Sequence, residues 1–173
     1  IIIKGNDPSK AAKQISLTDL GSIKVSKEET KQMAATIPRS SILGFIIGVL
    51  PGAGATIASF LAYGMERNFV KSEEKEKFGK GSVQGLSAPE TANNAACSGS
   101  FVPLLTLGIP GSGTTAVMLG ALLGFGIQPG PRLYETNPDI FWSVIMSMYI
   151  GMVVLLILNL PLIPYIARIL AVP

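Results

Sequence analysis

A long uncharged stretch, interrupted by glycine and proline, occupies the middle of the sequence. Residues 91–131 form a run of 41 residues without a formal charge, and Glu90 directly precedes it. An apolar run of about 20 residues is long enough to cross a bilayer as a helix. Pro110 and Gly111 interrupt the run near its centre, where a helix must stop and restart. Non-helical backbone at membrane depth persists only inside protein or beside a watery cavity, so the stretch predicts a membrane protein with an internal site.

Composition and charge distribution agree with a membrane location. Only 14% of the 173 residues are charged, against about a quarter in soluble domains. Twelve of the 14 lysines and arginines lie at or before Lys80, and basic loops beside apolar segments are typical of the cytoplasmic side. These basic residues alternate with glutamates and lack an aromatic platform, so we expect no nucleic acid partner.

The chain contains no histidine and a single cysteine, Cys97. These absences exclude Ser-His-Asp catalysis, Cys-His catalysis and an ordinary zinc site. We therefore expect no enzyme, no catalytic residues, no cofactor and no metal other than a transported ion. The sequence starts at Ile1 without an initiator methionine, and we interpret it as roughly the C-terminal half of a longer subunit.

The pattern of apolar segments predicts an all-α polytopic membrane protein with discontinuous helices. Residues 1–39 predict a polar cytoplasmic loop with a short helix over 27–35, capped by Ser26 and Glu29, and residues 40–173 predict the transmembrane domain. Helices are predicted over residues 41–50, 55–65, 89–107, 114–125 and 138–160, the last capped by Asn137 and ended by Pro161 and Pro164. Basic residues flank residues 40–65 on both sides, which predicts a re-entrant hairpin with both ends in the cytoplasm.

Two of the interruptions share one pattern. Residues 51–54 (PGAG), the first break, match residues 110–113 (PGSG), the second break, at a spacing of 59 residues. Paired Gly/Pro interruptions are typical of transporter sites, since a half-helix that starts at membrane depth directs free N–H groups and a positive dipole end at an anion. The pairing also suggests an internal repeat. The alternative is that both breaks are kinks that allow close helix packing.

The breaks and nearby polar residues supply the candidate site. As binding residues for an organic anion we predict Gly52, Ala53, Gly54, Thr56, Asn93, Asn94, Gly111, Ser112, Gly113, Thr114 and Thr115. As ligands of a coupling ion we predict Pro51 and Pro110, through carbonyl groups freed at the breaks, and Glu90. Glu90 has a second interpretation, as a charge that complements the helix dipole in the first turn after Pro89. The two asparagines also have a second interpretation, as polar links between helices.

Residues 111–116 (GSGTTA) also fit a loose dinucleotide-binding fingerprint. No alternation of strands and helices surrounds this motif, and neither break has the Gly-Lys-Ser/Thr ending of a phosphate loop. A nucleotide-binding enzyme is therefore a weak third hypothesis. It predicts a soluble fold, which extraction without detergent tests.

Three blocks carry a resemblance to a known family: GVLPGAGATIASFLAYGMER, FGKGSVQGLSAPETANNAACSGSFVPLLTLGIPGSG and GFGIQPGP. They resemble the large membrane subunit of tripartite tricarboxylate transporters. The resemblance implies a multi-pass permease of the bacterial inner membrane that takes up tricarboxylates such as citrate, or related organic anions, by symport. It implies sodium coupling, with a proton as the other option, and two partners, a small membrane subunit and a periplasmic substrate-binding protein. The alternative function is a non-transporting assembly subunit whose breaks serve helix packing only.

Overall fold

The computed structural model describes residues 25–170, and the regular structure in this part is helical. Within it, eight helices follow one another: α1 (Lys27–Val49), α2 (Gly54–Phe69), α3 (Ser72–Lys75), α4 (Val83–Gly99), α5 (Phe101–Leu107), α6 (Gly113–Gly124), α7 (Leu133–Thr136) and α8 (Pro138–Leu170). The chain divides into two compact units, residues 26–148 and a second unit of which residues 25 and 149–170 are described. The predicted all-α class is confirmed.

Helix α1 begins where the sequence predicts a helix, but it extends much further. The Glu29 N–H donates to Ser26 Oγ at 3.2 Å and the Ser26 N–H donates to the Glu29 carboxylate at 2.7 Å, which confirms the capping box. The helix then continues through Pro38 to Val49, so the prediction of two separate helices over 27–35 and 41–50 is wrong. Packing against α2 and α4 holds α1 together despite the backbone hydrogen bond that Pro38 removes. The position at which the membrane begins stays a prediction.

Helices α1, α2 and α4, which we call the three-helix unit, pack through small residues spaced four apart. These residues are buried: Thr36, Ser40, Gly44 and Gly48 on α1, Ala58 and Ala62 on α2, and Ala88, Ala92 and Ala96 on α4. A Cβ added at Gly44 would collide with the backbone of Ala92, and one at Gly48 with that of Ala96. The order of these two contacts shows that α1 and α4 run parallel. Close backbone approach through small residues is common between membrane helices.

Helices α1 and α2 form an antiparallel hairpin around the first break. Thr36 of α1 donates a hydrogen bond from Oγ1 to the Glu66 carboxylate near the end of α2, at 2.7 Å. At the turn, Gly52 and Gly54 have φ angles of 81° and 69°, a left-handed conformation that favours glycine. The helix predicted over 55–65 is confirmed with a small extension at both ends.

The helix predicted over 89–107 begins earlier and is divided. Ser82 caps α4 by accepting a hydrogen bond from the Gly85 N–H at 3.0 Å, so the helix starts at Val83 and includes Pro89 in its interior. It ends at Gly99, and α5 follows. Glu90 therefore lies seven residues beyond the start of α4, and the prediction that it occupies the first helical turn is wrong.

Outside the three-helix unit, the compact unit of residues 26–148 has a second apolar cluster around Leu105, Leu133 and Val144. Helix α6 agrees within one residue with the helix predicted over 114–125. Helix α8 begins at Pro138 as predicted, and the carbonyl group of Asn137 accepts the Phe141 N–H at 3.1 Å, as expected of an N-cap residue.

Helix α8 does not end at residue 160. It continues through Pro161 and Pro164 to Leu170, so the prediction that these prolines end it is wrong. One proline inside a helix removes one backbone hydrogen bond, whereas a break exposed to hydrocarbon would leave several backbone groups unpaired. In the described part of the chain, α1 and Pro138–Ile163 are the two helical segments long and apolar enough to cross a membrane.

Candidate functional site

At the first break, α2 begins without a side-chain cap. Ala53 precedes the helix and offers no side-chain hydrogen bond. The N–H groups of Gly54, Ala55 and Thr56 have no partner within residues 25–170. Pro51, Gly52 and Thr56 are exposed, whereas Ala53 and Gly54 are half-buried. Free N–H groups at a helix start, together with the positive dipole end, give a geometry that can hold an anion.

At the second break, the first turn of α6 is partly closed by its own cap. The Thr115 N–H donates to Ser112 Oγ at 3.3 Å, and the Ser112 N–H donates to Thr115 Oγ1 at 2.8 Å. This capping box engages the two side chains in the structure. Gly113 and Thr114 are exposed, and their N–H groups and the Thr114 hydroxyl have no partner among the described residues. An anion at α6 would thus contact Gly113 and Thr114 first.

The two breaks match in sequence but differ in backbone conformation. The first break has positive φ angles at Gly52 and Gly54. Around the second break the left-handed residue is Gly108, with φ 70°, two residues before Pro110. Ser112 is extended, with φ −154°. The matched pattern therefore marks two helix starts, and each is built in a different way.

The second break packs against the end of α1, shortly before the first break. Gly111 is buried, and a Cβ added there would lie 2.9 Å from Ser100 Cβ and 3.3 Å from the Gly48 carbonyl oxygen. Gly48 is three residues from Pro51, and Pro110 is half-buried beside Gly111. Both breaks therefore lie at the same end of the three-helix unit.

The two asparagines of α4 have different surroundings. Asn93 Nδ2 donates to Ser59 Oγ of α2 at 3.4 Å, which supports its interpretation as a polar link between helices. Asn94 is exposed and donates to the Glu90 carbonyl oxygen at 2.9 Å. The Glu90 carboxylate is exposed and makes no hydrogen bond or ion pair within residues 25–170. Neither Glu90 nor Asn94 hydrogen bonds to a residue of either break.

A buried ion pair lies at the opposite end of the hairpin, where the sequence suggested only flanking charges. Glu66 is fully buried, and its carboxylate accepts hydrogen bonds from Arg39 Nη2 at 2.7 Å and Arg39 Nε at 3.3 Å. The guanidinium group also lies 5.1 Å from the centroid of the Phe69 ring, a cation–π contact. The sequence signal is the four-residue spacing of Ala58, Ala62 and Glu66, which places the carboxylate on the buried stripe of α2.

Comparison with known proteins identifies the family. The family model described as "Tripartite tricarboxylate transporter TctA family" matches residues 2–173. A protein of Agrobacterium vitis, named an uncharacterized 52.8 kDa protein in the TAR-I ttuC' 3'region, is 46% identical over 149 residues, which are 86% of this chain and 29% of the relative. Another from Agrobacterium vitis, an uncharacterized protein in the TAR-II ttuC' 3'region, is 47% identical over 130 residues, 75% of this chain and 53% of the relative. No solved structure matches.

The chain spans less than a third of the length of the first of these relatives and about half of the second. The family model, in contrast, matches nearly the whole chain, including the hairpin, both breaks and α4. The chain therefore belongs to the tripartite tricarboxylate transporter TctA family.

Proposed function

We propose that this chain is part of the membrane permease subunit of a secondary active transporter that takes up tricarboxylates such as citrate, or related organic anions. Family membership supports the class of protein. The observation that carries the proposal is the pair of helix starts, at α2 and α6, which lie at one end of the three-helix unit and whose first N–H groups have no partner within residues 25–170. Such groups bind an anion at membrane depth without lysine or arginine.

The position of the Arg39–Glu66 pair supports a location of the first break near the bilayer centre. The Arg39 side chain is 36% exposed, which fits a charged group at the membrane surface. Leu50 lies eleven residues after Arg39, or about 16 Å further along the helix. This length is close to half of the roughly 30 Å hydrocarbon core. Helix α1 as a whole is long enough to span the membrane. Its charged first half nevertheless favours the predicted re-entrant hairpin with both ends in the cytoplasm.

In this proposal the substrate carboxylates contact the N–H groups at residues 54–56 and 113–114. The hydroxyls of Thr56 and Thr114 add donors, and neither has a partner within residues 25–170. A coupling ion, sodium in the first instance, binds carbonyl oxygens freed near Pro51 and Pro110. If a proton is the coupling ion, Glu90 is its acceptor. A small membrane subunit and a periplasmic binding protein complete the system in the bacterial inner membrane.

Uptake of labelled organic acids tests this function. Proteoliposomes would contain the full-length subunit, its small membrane partner and its binding protein, with and without an inward sodium gradient. We expect uptake of one or a few di- or tricarboxylates that depends on sodium. Uptake driven by a pH gradient alone would assign the coupling to protons. Absence of uptake from correctly inserted protein would contradict the proposal and favour breaks that serve packing only.

A further inference from the structure

Helix α4 has two faces of opposite character. The face toward α1 and α2 consists of buried alanines at positions 88, 92 and 96. At about 100° per residue, Glu90, Asn94 and Cys97 lie within about 60° of one another on the opposite face. All three are exposed. Backbone contact at Gly44 and Gly48 closes the space between α1 and α4, whereas the face with Glu90, Asn94 and Cys97 is open in the described part of the chain.

The register between α1 and α4 gives the level of the polar face. Because Gly44 lies against Ala92 and Gly48 against Ala96, Glu90 is level with Ile42 and Asn94 with Ile46. The two isoleucines are 63% and 56% exposed. The three-helix unit thus presents large apolar side chains on α1 at the level where α4 presents a carboxylate and an amide. The isoleucine side suits contact with lipid, and the α4 side does not.

The charge on this face is not compensated within the described part of the chain. The Glu90 carboxylate makes no ion pair or hydrogen bond within residues 25–170. The Asn94 side chain makes one hydrogen bond there, from Nδ2 to the Glu90 carbonyl oxygen. An unpaired carboxylate in hydrocarbon is too costly to persist as an anion. Water on this face removes that cost, and a carboxylate facing confined water attracts cations and repels anions.

We propose that Glu90, Asn94 and Cys97 line a water-filled, cation-attracting path along α4 that leads from the charged end of the hairpin to the second break. Glu90 is level with Ile42, three residues beyond Arg39 on α1. Cys97 precedes Ser100 by three residues, and Ser100 packs against Gly111 of the second break. The proposal rests on the proposed transport function. It adds a route for the coupling cation that is separate from the anion-binding helix starts.

Thiol labelling in membrane vesicles tests the path, with Cys97 as the reporter. The full-length subunit would keep Cys97, have its other cysteines replaced, and be assembled with its partners. The probes are a cationic and an anionic methanethiosulfonate, and each rate is divided by the rate of the same probe with free cysteine. We expect both probes to modify Cys97, with the normalised rate of the cationic probe about tenfold higher. Glu90→Gln should bring the two normalised rates together.

The matched control is Ile46→Cys in a Cys97→Ser background, since Ile46 is exposed at the level of Asn94 on the apolar side. A thiol in lipid does not ionise and reacts poorly with charged probes, so we expect neither probe to modify it. If Cys97 is as unreactive as this control, lipid or protein covers the face and the path is refuted. If Glu90→Gln leaves the ratio of the two normalised labelling rates at Cys97 unchanged, the proposal that Glu90 attracts cations to the path is refuted. Uptake of organic acids is measured on the same vesicles. If Cys97 is labelled as expected but no acid is taken up, the result contradicts the proposed transport function and not the path.

Discussion

At the scale of single residues, Gly44 and Gly48 decide how closely α1 approaches α4. Each is a position where a methyl group has no space, because the backbone of Ala92 or Ala96 already occupies it. The spacing of four between small residues was visible in the sequence, but the partner of each one was not. A single chain shows which residues share a helix face, and not which helix covers that face.

Replacing Gly44 by alanine is expected to destabilise the subunit by about 1–3 kcal/mol, the usual cost of forcing extra volume into a closely packed interface. The matched control is Gly64→Ala on α2, where nothing lies within 4 Å of an added Cβ. That change should be neutral or stabilise by up to about 1 kcal/mol, because alanine favours the helix. Thermal unfolding of the full-length subunit in detergent measures both. Equal behaviour of the two variants would show that α1 and α4 are not in backbone contact.

Ser112 and Thr115 show how a candidate site residue can acquire a local role. Hydroxyl groups near a helix start were predicted as anion donors, whereas in the structure these two bind each other's N–H groups in a capping box. The spacing of three between two hydroxyl residues signals such a cap. Gly113 and Thr114 lie between them, and their N–H groups have no partner among the residues that the structure describes. Whether any of these residues binds substrate stays a prediction.

At the scale of helices, local signals located several of the starts. The Ser26 capping box, the start of α6 and Asn137 before α8 follow from short-range chemistry, and the structure has them as predicted. The extents of α1, α4 and α8 did not follow from such signals, since the predictions put a helix boundary at or near a proline in each case, and the structure carries all three helices through. Contacts with other helices, which a single sequence does not show, carry α1 and α4 through Pro38 and Pro89.

The Arg39–Glu66 pair is expected to hold the base of the hairpin. Glu66→Gln leaves the guanidinium group with a weaker partner and should destabilise the subunit by about 3 kcal/mol, at the low end for a broken buried pair because Arg39 is partly exposed. Glu74→Gln is the control, since the Glu74–Lys77 pair is at the surface, with the side chains 27% and 58% exposed, and its loss should hardly change stability. Replacing both Arg39 and Glu66, by methionine and leucine, should recover much of the loss, because no charge then remains unpaired.

Unfolding curves of these variants in detergent distinguish the outcomes. Glu66→Gln as stable as Glu74→Gln would show that the pair contributes little to the hairpin. A double replacement no better than Glu66→Gln would show that the ion pair itself, and not the removal of an unpaired charge, is what the hairpin requires.

At the scale of the whole molecule, the chain spans less than a third of one curated relative and about half of another. The three-helix unit consists of a hairpin and a parallel helix with a polar face, and the starts of α2 and α6 lie at one end of it. The sequence indicated the all-α class, both breaks and the family, because these depend on hydrophobic runs, on Gly and Pro positions and on recognisable blocks. It did not show that Glu66 pairs with Arg39 or which helices cover the alanine face of α4, because these depend on how the helices pack.

The claim that the start of α6 binds the substrate is tested most directly by comparing uptake of the transported acid by the variants Gly113→Val and Gly120→Val. Both glycines are exposed on α6, and nothing lies within 4 Å of a Cβ added at either one, so both variants should insert and fold alike. Valine at position 113 covers N–H groups that have no partner within residues 25–170, and we expect uptake of the transported acid to fall at least about tenfold, or about 1.4 kcal/mol. Gly120→Val should transport like the unchanged protein. Equal uptake by the two variants would contradict the claim that the start of α6 binds the substrate.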